Sequence, residues 1–252
     1  MLNYFLDIIS LKKDRFKMDK IYIIGDVHGS FKTLKALLEK IPDGFKVVFT
    51  GDLVDRGKNS KEVVELIRST ENYFSVQGNH DYSFARTAFN VYGKNGSIVP
   101  KFRFLERNSH LKKSYKQYKG DLNLFYKHRE YLRKLPIFLI YKFKDAKDLI
   151  VSHSLILDIF KGEDISLYSE QEIEIIQNRH IVDNHNNIIT NIENINHNDY
   201  YNVFGHTGVF EEPYITDSFS CIDTGGVFKD GGKLTALEYP SMKLIQQENI
   251  ED

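Results

Sequence analysis

Short apolar runs alternate with amphipathic stretches through the N-terminal third of the chain. The apolar runs begin at Ile21, Val47 and Tyr73, and each ends in a glycine followed by Asp or Asn. Between them, residues 31–40 and 60–69 carry apolar side chains at the spacing of an amphipathic helix. This order predicts a βαβαβ unit with a buried, mostly parallel sheet, and ligands of such sheets bind beyond the carboxyl ends of the strands.

Each predicted helix is preceded by a residue that can cap it. Ser30 stands before the first helix and Asn59 before the second. Both residue types are favoured at N-cap positions because their side-chain oxygen accepts a hydrogen bond from a backbone N–H of the first turn. We therefore expect both residues to act as caps.

The rest of the chain divides into two insertions and a set of closing strands. Residues 82–134 are helical and irregular in pattern, and residues 162–199 read as a helix followed by a polar loop. Strand character returns at residues 135–141, 149–153, 201–206, 220–223 and 234–239. We predict one domain over residues 18–245, an N-terminal extension at 1–17, and a tail at 246–252 that is too polar to pack well.

The composition is that of an ordinary globular protein. Of 252 residues, 41% are hydrophobic, 13% aromatic and 27% charged, which argues against a disordered or fibrous chain. The formal net charge of -1 excludes a basic footprint over the whole molecule, so we expect no stable nucleic-acid partner. The charge is uneven, because residues 101–134 hold 11 Lys or Arg against 3 Asp or Glu, and residues 162–199 hold 8 Asp or Glu against 1 Arg.

Membrane segments and disulfides are not predicted. No apolar run approaches the roughly 20 residues of a membrane span. The first ten residues lack both the basic region and the small-residue cleavage site of a secretory leader. Cys221 is the single cysteine, which excludes an intramolecular disulfide, and we expect it to be a buried structural residue. These features favour a cytoplasmic protein without a membrane partner.

Polar residues follow the predicted strands at the positions where ligands of such a sheet bind. After the first strand, Asp26 and His28 stand one residue apart, so an extended chain would point both side chains the same way. A carboxylate and an imidazole together suit Mn, Fe or Zn. Further oxygen and imidazole donors follow other strands, namely Asp52, Asp55, Asn79, His80, His153 and His206. We expect these side chains to converge on one edge of the sheet.

Three of these motifs, in order and at matching spacings, resemble those of the calcineurin-like metallophosphoesterases. They are Gly-Asp-x-His-Gly at residues 25–29, Gly-Asp-x-x-Asp-Arg-Gly at 51–57 and Gly-Asn-His-Asp at 78–81. More narrowly, residues 20–240 resemble the phosphoprotein phosphatase branch, which includes bacterial and phage serine/threonine phosphatases and symmetrical diadenosine tetraphosphatases. The resemblance implies an α/β fold in which the βαβαβ core belongs to a two-sheet sandwich flanked by helices, with a mostly helical insertion.

The resemblance also implies a dinuclear metal site. The ligands of the first ion would be Asp26, His28 and Asp52. The ligands of the second ion would be Asp52, Asn79, His153 and His206. Asp52 would therefore bridge two divalent ions, for which we expect Mn before the alternatives Fe, Zn and Ni. A hydroxide held by both ions would attack the phosphorus atom.

Four further residues would act on the substrate if the resemblance holds. His80 would be the general acid for the leaving oxygen, and Asp55 would hydrogen-bond His80 and favour its protonated form. Arg56 and, on a weaker alignment, Arg179 would bind the remaining phosphate oxygens, since a guanidinium group matches their geometry.

Asp81 and Asp223 each allow two interpretations from the sequence alone. Asp81 stands where protein phosphatases have Glu and tetraphosphatase relatives often have Asp, and it can equally serve as a cap of the next helix. Asp223 can orient a metal ligand or make a turn. We expect the histidines of the polar insertions to be surface residues without a catalytic role, namely His110, His128, His180, His185 and His197.

The substrate is less closely defined than the reaction class, which we expect to be hydrolysis of a phosphate ester or anhydride bond, with phosphate monoesters first. The motifs favour a serine/threonine protein phosphatase, with dual specificity as a variant of that reading. The alternative is a symmetrical dinucleoside tetraphosphatase, followed by an enzyme for another small phosphorylated molecule or an RNA end. An inactive scaffold that binds phosphorylated partners is the least favoured reading, because no ligand or acid residue is missing.

Overall fold

The computed structural model describes residues 19–87, 90–92, 98–100, 109–119, 121–156, 176–179, 181, 200–209 and 212–252. The helices are α1 (Phe31–Leu38), α2 (Ser60–Ser69), α3 (Asn79–Thr87), α4 (Ser109–Lys116) and α5 (Leu122–Arg133). The strands are β1 (Ile21–Ile24), β2 (Val47–Phe49), β3 (Tyr73–Ser75), β4 (Asn90–Tyr92), β5 (Ile98–Pro100), β6 (Phe138–Tyr141), β7 (Asp148–Ser152), β8 (Tyr200–Phe204), β9 (Tyr214–Ile215), β10 (Phe219–Cys221), β11 (Lys233–Tyr239) and β12 (Lys243–Glu248). The predicted extension at 1–17 and most of the acidic insertion lie outside these residues.

Two five-stranded sheets organise the fold. The first has the order β12-β11-β1-β2-β3, and the second has the order β6-β7-β8-β10-β9. β1, β2 and β3 run parallel, as the βαβαβ pattern predicts. β7, β8 and β10 also run parallel, so the second sheet likewise has several carboxyl ends at one edge.

Strand β1 shows why the sheets pack face to face with helices outside. Its sequence is apolar throughout because both of its faces are buried. Tyr22 and Ile24 belong to the core beneath α1 and α2, whereas Ile21 and Ile23 belong to the core between the two sheets. Full burial of one such side chain contributes about 1.5–3 kcal/mol. The two-sheet sandwich flanked by helices is therefore confirmed.

The two expected helix caps are only partly correct. Ser30 and Asn59 occupy the N-cap positions of α1 and α2, but neither side chain makes a capping hydrogen bond. Packing of the apolar faces, with Leu34 and Leu37 of α1 fully buried, supports these helices instead.

The C-terminal segment packs, contrary to the expectation of a loose polar tail. β12 pairs antiparallel with β11 over its whole length, with Gln246 opposite Thr235. Beyond it, the Glu251 carboxylate accepts a hydrogen bond of 2.9 Å from the backbone N–H of Thr33 at the start of α1. An edge strand can be polar because its backbone pairing does not require apolar side chains on the exposed face.

The segment at 82–134 is not wholly helical, because β4 and β5 pair antiparallel before α4. Tyr115 of α4 and Tyr118 just beyond it pack on Phe125 of α5 in an aromatic cluster. The expectation that His128 lies on the surface is wrong: its side chain is fully buried between Tyr118 and Glu65. His110, His180, His185 and His197 lie outside the described side chains.

Cys221 is buried, as expected, and its thiol donates to the carbonyl oxygen of Thr207 at 3.1 Å. Burial raises the pKa of this thiol well above its ordinary value, so Cys221 is a structural residue rather than a reactive one. Among the described residues, none of the helices has both the length and the apolar character needed to cross a membrane.

Candidate active site

The predicted site residues follow strands of both sheets. Asp26 follows β1 and Asp52 follows β2, whereas His153 directly follows β7 and His206 follows β8. Asn79 and His80 begin α3, just beyond β3. Because both sheets place the carboxyl ends of parallel strands at the same edge, these residues meet there although up to 180 positions separate them in the sequence, as for Asp26 and His206.

Backbone strain is concentrated in the same loops. Five non-glycine residues of the site have a positive φ: 47° at His28, 50° at Asp52, 70° at Asp55, 61° at Arg56 and 64° at His206. Such conformations cost about 1–3 kcal/mol each and persist where the surrounding structure imposes them. The strain therefore marks these loops as shaped for the position of their side chains.

Two glycines allow the carboxylates to approach the neighbouring backbone closely. A Cβ atom on Gly78 would clash with the Asp52 carboxylate, and one on Gly205 would clash with the Asp26 carboxylate. The glycines that precede Asn79 and His206 are thus required by the packing of the site.

Asp52 lies at the centre of the cluster. Its Oδ2 is 3.4 Å from Nε2 of His28, and its Oδ1 is 3.4 Å from Nε2 of His153. Potential metal-ligand atoms form two groups that share Asp52 among the described residues: one with His28 and His80, the other with His153 and His206. The shared carboxylate has the position expected of a bridging ligand.

The hydrogen bonds of the imidazoles leave acceptor atoms facing one another. Nδ1 of His28 is 2.9 Å from the carbonyl oxygen of Val54, and Nδ1 of His153 is 2.7 Å from that of Thr50. A carbonyl oxygen can only accept, so each Nδ1 carries a proton and a neutral ring has a lone pair at Nε2. In both rings that lone pair faces an oxygen of Asp52. This arrangement of lone pairs fits a divalent cation.

The electrostatics of the cluster agree with this geometry. Burial lowers the pKa of His28 and of His206 to about 3, so both rings are neutral at ordinary pH. Burial opposes a charge on His153 as well, but the attraction of Asp52 and Asp26 raises its pKa to about 10. Burial would raise the pKa of Asp52, yet His153 holds it well below its ordinary value. Positive charge between His153 and these carboxylates is thus stabilised, and either a proton on Nε2 or a cation in its place can supply it.

Asp26 is placed less centrally than the resemblance implies. Its Oδ2 is 4.0 Å from Nε2 of His28, and its carboxylate accepts hydrogen bonds from Thr50 Oγ1 at 3.1 Å and from the His206 backbone N–H at 3.2 Å. Burial, and next the charge of Asp223, raise its pKa well above the ordinary value. Geometrically, His80 rather than Asp26 completes the group around His28 and Asp52.

Asn79 and His206 both lie beside His153. The side-chain oxygen Oδ1 of Asn79 is 3.0 Å from Nε2 of His153. The ring centroids of His153 and His206 are 4.8 Å apart, and Nε2 of His206 contacts the carbonyl oxygen of Gln177 at 3.2 Å. All of the predicted second-ion ligands are therefore brought together.

His80 and Asp55 form a hydrogen-bonded pair at the edge of the cluster. Nδ1 of His80 is 2.9 Å from Oδ2 of Asp55, and Nε2 is 4.0 Å from Oδ2 of Asp52. The side chain of His80 is 20% exposed, whereas those of His28 and His153 are at most 3% exposed. Burial lowers the pKa of His80, but the Asp55 hydrogen bond and the Asp52 charge outweigh it, so the pKa is raised.

The two candidate arginines are exposed at the rim. Arg56 lies next to Asp55 in the loop after β2, with its guanidinium carbon 5.8 Å from the ring centroid of Phe228. Arg179 donates from Nη1 to the carbonyl oxygen of His206 at 3.1 Å. The structure therefore brings Arg179 to the site although its motif was the weaker one.

Asp81 and Asp223, whose roles the sequence left open, both accept hydrogen bonds from backbone N–H groups. The buried Asp81 carboxylate accepts from the N–H groups of Gly78 at 3.1 Å and Leu53 at 3.0 Å, so it caps α3 and also ties α3 to the loop after β2. Asp223 accepts from the N–H of Gly225 at 3.1 Å, which is the bond of an Asx turn.

Sequence reasoning missed Ser114, which lies in the inserted helix α4 and donates to Oδ1 of Asp55 at 2.6 Å. No local motif surrounds it. It also missed Thr50, whose hydroxyl bonds Asp26 and whose position directly before Gly51-Asp52 was a usable signal.

Comparison with known proteins gives a family match over nearly the whole described domain. The calcineurin-like phosphoesterase family matches residues 19–245. Among similar proteins, the bis(5'-nucleosyl)-tetraphosphatase PrpE of Halalkalibacterium halodurans, labelled asymmetrical, is 28% identical over 245 residues, which cover 88% of this chain and 91% of that protein.

Two solved structures share the fold. A candidate diadenosine tetraphosphatase superposes with a TM-score of 0.63 at 18% identity, covering 93% of this chain and 96% of the other. A protein serine/threonine phosphatase from Saccharomyces cerevisiae superposes with a TM-score of 0.59 at 14% identity, covering 95% of this chain and 82% of the other. At these identities the likeness establishes the architecture alone.

Proposed function

Since the chain belongs to the calcineurin-like phosphoesterases and is therefore a phosphate-ester hydrolase, we propose that the cluster centred on Asp52 binds two divalent cations and is the active site. The observation that carries this proposal is the orientation of His28 and His153 towards Asp52. Both rings donate from Nδ1 to a backbone carbonyl and turn Nε2 to the same carboxylate at 3.4 Å. A cation between them removes the conflict of facing lone pairs.

The ligand set mixes carboxylate, amide and imidazole groups. We assign Asp26, His28 and Asp52 to one cation. We assign Asp52, Asn79, His153 and His206 to the other. This mixture of oxygen and nitrogen donors suits manganese, with iron, zinc and nickel as alternatives. When bound, two such cations bind phosphoryl oxygens and lower the pKa of a bound water to near neutrality.

His80 serves as the general acid for the leaving oxygen in this proposal. Its exposure of 20% lets it reach a group that enters from solvent, unlike the enclosed His153. The hydrogen bond from Nδ1 to Asp55 turns Nε2 towards the interior of the site and fixes the ring. A positioned imidazole is suited to donate a proton to the leaving oxygen as its bond to phosphorus breaks.

Arg56 and Arg179 bind the phosphoryl group from the rim. Both are exposed and belong to different segments, because Arg56 follows β2 whereas Arg179 contacts the backbone of His206 after β8. Guanidinium groups at these two places can each donate two hydrogen bonds to phosphate oxygens and stabilise negative charge there.

A dinucleoside tetraphosphate is the substrate we propose first. Support comes from the tetraphosphatase relative, which aligns over about nine-tenths of both chains and is labelled asymmetrical. Symmetrical cleavage, which is the alternative that the resemblance offers, would split the tetraphosphate at its centre, whereas asymmetrical cleavage yields a nucleoside monophosphate and a triphosphate. Asymmetrical cleavage is therefore the mode we propose.

A phosphoserine or phosphothreonine side chain is the second candidate. It is the substrate that the sequence itself favours, through Asp-Arg-Gly at residues 55–57 and Gly-His-Thr at 205–207. The exposed position of Arg56 is compatible with a phosphate presented on a large partner.

A substrate panel distinguishes the two candidates. Protein loaded with Mn²⁺ is assayed on diadenosine tetraphosphate, a phosphoserine peptide and an aryl phosphate, and the nucleotide products are separated by chromatography. We expect the highest kcat/KM on the dinucleotide, with AMP and ATP in equal amounts. A higher kcat/KM on the phosphopeptide would favour the second candidate, ADP alone would indicate symmetrical cleavage, and no turnover of any substrate would favour a binding scaffold.

A further inference from the structure

The Asp55 carboxylate has two oxygens with different partners. Oδ2 contacts Nδ1 of His80 at 2.9 Å, and Oδ1 accepts the hydroxyl of Ser114 at 2.6 Å. Ser114 is fully buried and lies on α4, 59 positions away in the sequence and outside the three motifs that identify the site. The inserted helix α4 therefore contacts Asp55, the hydrogen-bond partner of His80, directly.

Ser114 also contacts the backbone of the same residue. The N–H of Asp55 is shared between Ser114 Oγ and Ser60 Oγ, at 3.1 Å each. Asp55 has a φ of 70°, a conformation that needs support in a non-glycine residue. One hydroxyl of α4 thus accepts from the main chain of Asp55 and donates to its side chain, which fixes both the position of the loop and the rotation of the carboxylate.

We propose that Ser114 is a positioning residue for His80 and acts through Asp55. The inference rests on the proposed function of His80 as general acid. With the Ser114 hydroxyl in place, the Asp55 carboxylate presents Oδ2 to Nδ1 of His80 and holds the ring with Nε2 towards the leaving group. Without it, Oδ1 is left buried without this donor and the carboxylate can rotate, so the orientation of His80 is lost.

Gln117, the residue after α4, provides a matched control because it bonds to the same loop and to the start of α2 without a hydrogen bond to Asp55. Its Nε2 donates to the carbonyl oxygen of Gly57 at 3.3 Å, and its Oε1 accepts from the N–H of Lys61 at 3.2 Å. A change at Gln117 weakens the attachment of the helix, whereas a change at Ser114 removes the donor to the carboxylate. The two variants separate docking of α4 from support of His80.

The test compares turnover of an alkyl phosphate, whose leaving group needs a proton, with that of an aryl phosphate, whose leaving group needs little protonation. We expect Ser114→Ala to lower kcat on the alkyl phosphate about 10-fold, the lower range for loss of a supporting partner at a metal site. The loss on the aryl phosphate should be much smaller. Ser114→Thr retains the hydroxyl and should keep the wild-type ratio of alkyl-phosphate to aryl-phosphate turnover. Gln117→Ala should also leave this ratio unchanged.

A second variant and a double variant keep the test independent of folding defects. Ser114→Cys keeps the approximate volume and replaces the hydroxyl by a weak donor, so it should shift the ratio in the same direction as Ser114→Ala. In a His80→Asn background, Ser114→Ala should cause no further selective loss, because both changes remove the same step.

The outcomes separate this inference from the proposed role of His80. If His80→Asn is selective for the alkyl phosphate but Ser114→Ala and Ser114→Cys lower both rates equally, Ser114 supports only the fold and the inference is overturned. If His80→Asn itself lowers both rates equally, the general-acid assignment fails and the positioning role fails with it.

Discussion

Two of the buried polar clusters in the described part of the chain contain histidines, and their hydrogen bonds differ in kind. In the cluster beneath α5, His128 has Nδ1 2.8 Å from the Tyr118 hydroxyl and Nε2 2.6 Å from the Glu65 carboxylate. The hydroxyl can donate to one nitrogen while the other donates to the carboxylate, so both are satisfied. In the cluster centred on Asp52, here called the strand-end cluster, Nε2 of His28 instead faces the Asp52 carboxylate at 3.4 Å, and the proton of this ring is on Nδ1.

The comparison shows that burial of a histidine does not by itself indicate a ligand site. Both His128 and His28 are almost completely enclosed. A buried polar group without a partner is costly, so a complete set of partners indicates a structural role. Acceptors that face acceptors indicate that a cation belongs between them. The two clusters should therefore respond differently to substitution.

The largest effect is expected from Asp52→Asn, because this carboxylate is shared by both groups of ligand atoms. Loss of its charge should weaken Mn²⁺ binding at both cation positions, so that the variant holds fewer than the two ions per chain expected of the wild type. The kcat should fall by more than about 100-fold, which is the upper range for loss of a partner outside the ligand shell. Metal analysis by mass spectrometry after Mn²⁺ loading checks the first result. Two ions still bound to this variant would show that Asp52 is not the bridge.

The next effect concerns His80 within the strand-end cluster. His80→Asn should lower kcat on an alkyl phosphate by about 10²–10⁴-fold, the range for loss of a general acid. The loss on an aryl phosphate should be much smaller, and the Mn²⁺ content should be unchanged. A fall in metal content would instead indicate that His80 is a ligand, as its 4.0 Å distance from Asp52 permits.

The His128 cluster should respond in stability and not in metal content. His128→Leu removes the partner of the buried Tyr118 hydroxyl, and we expect a loss of about 1–3 kcal/mol in the free energy of unfolding, as for an unsatisfied buried polar group. Urea denaturation measures this loss. Turnover and Mn²⁺ content of the folded variant should match the wild type, and loss of either would contradict a purely structural role for this cluster.

The smallest effect is the pH dependence of the same cluster. Hydrogen bonds from Arg68 and, against the opposing effect of burial, from His128 lower the pKa of Glu65 from 4.5 to about 2. A lowered pKa in the folded state means that the unfolded state binds the proton more readily, so this stability is complete above about pH 4.5 and is lost as the pH falls to about 2. The melting temperature, measured as a function of pH, should show this loss of stability.

The matched variant is Glu65→Gln. Wild type should melt above it at about pH 5, and the difference should shrink at about pH 2.5, where the Glu65 advantage is being lost. A constant difference over this range would show that the charge of Glu65 does not contribute. Because its side chain is 40% exposed, solvent screens the interaction and a shift of a few degrees at most is expected.

Much of the strand-end cluster was predictable from local patterns. Asp26 and Asp52 directly follow apolar runs whose ends could be read from the sequence, and the carboxyl ends of parallel strands must share an edge. His153 and His206 follow the same rule in the second sheet. The roles assigned to these residues come from the family resemblance and stay predictions.

Only the tertiary structure decided the contacts that join distant segments. The helical pattern of α4 does not indicate that Ser114 contacts Asp55. The polar residues that flank His128 in the sequence likewise do not indicate that it is buried against Glu65. In the same way, the polar sequence of β12 gave no sign that it pairs with β11. Apolar periodicity indicates which face of an element is buried, because the spacing of apolar side chains is a property of the element itself. Which partner covers that face depends on how the whole chain packs, and hydrogen bonds such as the one between Ser114 and Asp55 form only once it has.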